Sequence, residues 1–191
     1  MPFYGPRELS VAGDTNYFTI RPFQLIQENE EVVYDTLLAP KTFVAVFSSS
    51  TSKDSTAPLA GLLNYVRFRP NDLKKINFLF LLPQLSDSIT FNYVESIGLQ
   101  KIVAKNAFLK NKDFVALKEN SFFKKDEKGI APQITPDANM VLIDSKRRIR
   151  GYYNGIFDTD IKRMIEDCDF LEFHDASVEV VNATKIEQRQ E

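Results

Sequence analysis

Three groups of side chains in this 191-residue chain have types that could do chemistry. The first is the loop 48–56, SSSTSKDST, where Ser52 and Thr56 stand among small hydroxyls with one lysine and one aspartate. A serine nucleophile at a strand-to-helix turn needs a base beside it and the sharp G-x-S-x-G elbow. Ser52 has neither nearby in sequence, since the one histidine of the chain is His174. The reading that needs nothing more is capping: Ser55 or Thr56 as N-cap with Pro58 in the first turn. The second group is the single cysteine, Cys168, with His174. One cysteine excludes an intrachain disulfide and a CxxC pair, and without a resolving partner it argues against a thiol oxidoreductase or peroxidase. The two residues are six apart, not the i, i+4 of a helical metal pair, so a Cys168/His174/Met164 copper site is the minor reading. Cys168 fits a small core residue, and His174 is expected outside the last helix, at the surface or as a cap. The third group is KRRIR at 146–150, where strand alternation puts Lys146, Arg148 and Arg150 on one face. That face is either a solvated edge that discourages sheet pairing or a contact for an acidic protein or lipid headgroups.

These groups need elements to position them. Residues 42–47, TFVAVF, carry no charge and read as a strand covered on both faces. Leu59, Leu62, Leu63 and Val66 then recur at i, i+3, i+4 and i+7, one face of a helix. A second apolar run, INFLFLL at 76–82, implies a right-handed parallel crossover. Residues 86–99 are expected to be helical up to Gly98, and the lysine-laced 101–123 helical in part. NMVLI (139–143) and 149–153 form a hairpin, followed by a helix capped by Asp158 with Ile161, Met164, Ile165 and Cys168 on one face. Ahead of all this, residues 1–16 read as an extended arm, and 17–25 with 32–34 as an entrance hairpin whose Pro22 keeps it at an edge. After Leu171, alternation at Val178, Val180 and Val181 predicts an added strand and a loose end. The order is that of a thioredoxin-like α/β fold: a central mixed sheet flanked by helices, with an N-terminal β-hairpin extension. The domain is placed at 17–172, with a C-terminal tail at 173–191.

Composition narrows the function classes. Hydrophobic content of 43% with 26% charged residues is that of a globular chain. A net charge of −2 supplies no basic field for nucleic acid. Eight lysines against four acids between Lys101 and Lys128 fit a solvated face. The longest apolar run is too short to span a bilayer, and MPFYGP lacks the basic start and apolar stretch of a signal peptide. A cytoplasmic chain and one with an anchor preceding Met1 are both compatible with this.

The chain resembles the Sco/SenC family, thioredoxin-fold proteins on the outer side of energy-transducing membranes that bind copper and help assemble the copper site of cytochrome oxidase. FYGPRE is like the segment that follows the anchor in some bacterial members, and TIRPFQLIQENEEV is similar to the entrance hairpin I-P-x-F-x-F-x-N-Q. VAVFSSSTSKDSTAP fits V-A-D-F-F-F-T-x-C-P-x-x-C-P, and NMVLIDSKRRIRGYYNG is close to F-x-L-I-D-x-x-G-x-I-R-G-x-Y-x-G. DTDIKRMIEDCDFL matches the last helix, whereas 83–135 carries little likeness. Carried over by position, the two copper cysteines fall on Ser52 and Thr56 and the copper histidine on Pro136. Cu(I) favours soft thiolates with imidazole, and hydroxyl oxygens and proline do not supply them. The resemblance therefore implies a member without catalysis, cofactor or the family's copper site. Its expected role is binding, as an accessory or assembly component among subunits of a membrane, respiratory complex on the periplasmic side. The alternative is a copper carrier that uses other ligands or ligands from a partner.

Overall fold

Period-two alternation of apolar side chains builds a sheet with two buried faces. The computed structural model describes residues 1–9, 15–26, 32–34, 41–48, 57–84, 98–99, 103–124, 134 and 137–187. The central strands are β5 (Phe43–Phe47), β6 (Asn77–Gln84), β8 (Met140–Ile143) and β9 (Ile149–Tyr153). β5 and β6 are parallel, while β8 runs antiparallel to both β5 and β9. Val44, Val46, Phe78, Phe80, Met140 and Leu142 point into one core. Phe43, Ala45, Leu79, Leu81, Val141 and Ile143 point into the other.

The first core is closed by α1 (Ala60–Phe68), α2 (Pro70–Leu73) and the 30-residue α4 (Asp158–Glu187), through Leu62, Val66, Leu73, Ile161, Met164 and Leu171. The second is closed by α3 (Asn111–Leu117) and a π-helical turn, Lys118–Phe122, with Phe114 and Phe122 buried. Phe122 meets Phe47 edge-on at 5.0 Å, and its carbonyl accepts the Tyr152 hydroxyl at 2.6 Å. These contacts fix the turn over the carboxyl end of β5.

The segment 101–123, expected to be helical in part, is helical over α3 and the π-helical turn, and its residues 103–110 form a strand, β7 (Val103–Lys110), parallel to β6. Phe108 enters one core while Ala107 and Leu109 enter the other, so three consecutive buried residues mark a two-faced strand rather than a helix. The segment after Leu171 is not a strand, because α4 continues unbroken to Glu187 and passes through position 174. The amino-terminal 16 residues are not simply an arm: β1 (Arg7–Leu9) pairs antiparallel with β2 (Thr15–Tyr17). The entrance hairpin itself is β3 (Gln24–Ile26) with β4 (Val32–Tyr34), and it extends the sheet to seven strands in the order β4-β3-β7-β6-β5-β8-β9. The helix expected at 86–99 lies outside the described residues except for Gly98 and Leu99. Among the described residues, no helix is long and apolar enough to cross a membrane.

Candidate functional site

The carboxyl ends of parallel strands are where open α/β sheets gather their functional groups. Here β5 ends at Phe47, whose N–H donates to the Asn139 carbonyl at 2.8 Å, and the next residue, Ser48, donates its N–H to the Leu81 carbonyl at 3.2 Å. Asn139 then holds three segments together. Its Nδ2 donates to the Pro58 carbonyl at 2.9 Å, its Oδ1 accepts the Gly155 N–H at 2.8 Å, and its own N–H donates to the Tyr153 carbonyl at 3.1 Å. The start of the α1 segment, the lead into β8 and the turn after β9 therefore meet at one side chain.

Beside this junction lies a cleft of about 220 Å³. Phe47, Leu59 and Ala138 form its apolar wall, and Ser48, Lys118, Asp137 and Asn139 its polar groups. Asp137 sits at φ 54°, a left-handed conformation that aspartate tolerates better than most residues. The Lys118 ammonium stands 5.6 Å from the centre of the Phe123 ring. A hydroxyl, an amide, a carboxylate and an ammonium can hydrogen-bond a polar group of a bound partner, and none is a soft ligand.

Ser52, Thr56 and Pro136 lie outside the described residues. The residues flanking them do not: Ser48 and Pro58 on either side of the first loop, and Asp137 next to Pro136, all border this one cleft. Two further residues of the cleft carry almost no signal in the sequence. Lys118 sits among other lysines, and Asn139 reads as the first residue of a strand. The one signal that could have found Asn139 is a polar side chain heading an otherwise apolar run.

Cys168 is 3% exposed in the first core, on the side of α4 that faces the sheet. Burial pushes its thiol well above the ordinary range, and the carboxylates of Asp167, Glu172 and Asp169 push the same way. Such a thiol is not a nucleophile. We expect alkylation of Cys168 to run at least about a hundredfold slower in the native protein than in denaturant, as for a group reached only through opening; a thiol-counting time course checks this. His174 falls within α4, not after a helix end, and six helical residues separate it from Cys168 by about 240° around the axis. Among the described residues, no three of His, Cys, Asp and Glu come together as a metal site would require.

The basic run after β8 is drawn inward. Asp144, 2% exposed, takes an ion pair from Arg148 at 2.7 Å and another from Arg150 at 3.1 Å. Both guanidiniums also lie over the Phe3 ring, at 4.7 and 4.2 Å, and Arg150 donates to the Pro2 carbonyl at 3.2 Å. Of the three cations expected on one solvated face, Lys146 is exposed, Arg148 half-buried and Arg150 buried.

No family model matches the sequence, and no curated protein matches it. Solved structures do. A SCO1/SenC family lipoprotein from Bacillus anthracis superposes with a TM-score of 0.57 at 18% identity, over 81% of this chain and 95% of that one. BsSco, a member of the Sco family of cytochrome c oxidase assembly proteins, gives 0.54 at 13% identity, over 79% and 93%. Arabidopsis thaliana ScoI, solved with copper bound, gives 0.51 at 13% identity, over 78% and 98%. At these identities the likeness speaks for architecture: the chain has the thioredoxin-like α/β fold that Sco/SenC proteins have.

Proposed function

We propose that this chain is a Sco-like protein whose work is protein binding, not metal or thiol chemistry. In this reading it serves as an accessory or assembly component of a membrane complex, a respiratory one by analogy with its structural neighbours, on the periplasmic side. One observation carries the reading. The cleft at the carboxyl end of β5 offers Ser48, Lys118, Asp137 and Asn139, while the single thiol of the chain is sunk in the core behind α4. The sequence at Ser52, Thr56 and Pro136 points the same way, since hydroxyls and proline stand where soft ligands would be needed.

The test is anaerobic competition for Cu(I) against a chromogenic chelator, on the natural protein and on the triple variant Ser52→Cys, Thr56→Cys, Pro136→His. The natural protein is expected to leave the chelator loaded and the triple variant to unload it, a gain of at least about a thousandfold in affinity for a site that acquires two thiolates and an imidazole. Stoichiometric copper on the natural protein, lost in Cys168→Ser or in His174→Ala, would overturn the proposal in favour of a copper carrier.

A further inference from the structure

Six large apolar side chains are exposed among the described residues, and five of them belong to one layer. Phe68 ends α1, Ile156 and Phe157 form the turn into α4, and Phe170 and Phe173 lie on α4 itself. Phe68 is 70% exposed and Phe173 78%. Scattered single exposed residues would need no explanation, but a concentration on one layer marks a contact surface.

The charges on this layer are of two kinds, and each sign predominates in its own stretch. From Arg67 to Lys75 there are four bases and one acid. The Arg67 guanidinium lies 5.2 Å from the centre of the Phe68 ring and that of Arg69 5.9 Å from the Tyr65 ring, so the cations are laid along aromatic surface. A favourable interaction with the end of α1 explains Arg67 but not the exposed Phe68 or the bases that follow in Lys74 and Lys75. From Glu166 to Glu179 there are six acids and no lysine or arginine. Glu166, Asp169, Phe170 and Phe173 are all exposed, opposite the core-facing Ile161, Met164 and Cys168. One aromatic patch is thus mainly basic, with Asp158 beside Phe68 and Arg69, and the other mainly acidic, with Lys162 standing 3.8 Å from Glu166.

We infer that this layer is where two copies of the chain associate, with the Arg67–Lys75 patch of each copy facing the acidic outer side of α4 of the other. A two-fold interface requires a surface complementary to itself, which a layer carrying both signs provides. An anionic membrane or a nucleic acid would meet the bases but be repelled by Glu166 and Asp169 beside them. A purely acidic partner protein would meet the same obstacle.

Light scattering after size exclusion, at protein concentrations up to about 200 µM, tests this, since an interface of micromolar affinity is filled there. The natural protein is expected to approach twice the monomer mass and to dissociate in about 1 M salt, where charge attraction is screened beyond about 3 Å. Phe68→Asp and Phe173→Asp should each raise the dissociation constant at least about tenfold, as for an anchor residue at an interface. The double variants Arg67→Glu/Arg69→Glu and Glu166→Lys/Asp169→Lys should each be monomeric alone and should pair when mixed, a recovery that misfolded variants would not give. A natural protein that stays monomeric throughout overturns the inference, as does a dimer that neither aspartate substitution weakens.

Discussion

Asp144→Ala is expected to destabilise the fold by about 3–5 kcal/mol, the range for breaking a buried ion pair by removing one partner. Oδ1 of Asp144 accepts the N–H groups of Lys146 and Arg148, both at 2.9 Å, and so shapes the turn between β8 and β9. Oδ2 accepts Arg148 Nε at 2.8 Å and Arg150 Nη1 at 3.1 Å. Without this carboxylate two guanidiniums remain side by side, and Arg150 is only 8% exposed. Urea unfolding should show a lower midpoint with an unchanged slope. Adding Arg150→Met to the alanine variant should restore part of the loss, because the stranded charge then goes too. A loss within about 0.5 kcal/mol, the size of a surface substitution, would show that the ion pairs are not holding the hairpin.

Gly61→Ala is the second large effect. A Cβ at Gly61 would lie 2.7 Å from the Ile156 carbonyl oxygen and 2.9 Å from the carbonyl carbons of Ile156 and Phe157, all of them backbone. No rotamer relieves such contacts, so α1 has to withdraw from the turn. The hydrogen bond from the Leu62 N–H to the Gly155 carbonyl, 3.1 Å, is strained with it. Overpacking of this kind costs about 1–3 kcal/mol, and the better helix propensity of alanine offsets up to about 1 kcal/mol. The net expectation is a loss of about 1–2 kcal/mol, or a fall in Tm of roughly 2–8 °C for a chain of this size. Thermal unfolding measures it directly, and a Tm equal to or above that of the natural protein would show that the turn yields freely.

The parts of the fold that are legible in the sequence are those whose burial is complete. β5, β6, β8 and β9 announce themselves as apolar runs because both faces of the sheet are covered, and the start of α1 as a helical apolar stripe. β7 is hidden because its lysines suggest a solvated helix, while its pairing with β6 is a long-range fact no local pattern carries. Val178, Val180 and Val181 favour a strand by propensity, but α4 is nucleated on the core through Ile161 to Leu171 and propagates through them. The basic run misleads for a related reason. Asp144 looks like a turn residue in sequence, and that it is the buried counterion of Arg148 and Arg150 depends on Phe3 and Pro2, more than 140 positions away. At the candidate site the sequence identifies the strand end at Phe47. It does not identify Asn139, whose importance lies in joining Pro58 to Gly155.

The placement of the first residues bears on the order in which the molecule can assemble. Tyr4 donates its N–H to the Ile149 carbonyl, Ile20 to that of Arg147, and Thr19 bridges to Arg148. Tyr4, Thr19 and Ile20 thus take partners from a hairpin more than 120 positions further along the chain. Contacts of such sequence separation are slow to close and form late. During synthesis Phe3, Tyr4 and Ile20 find these partners only once β9 has emerged, so this edge of the sheet closes after the strands at its centre have been made.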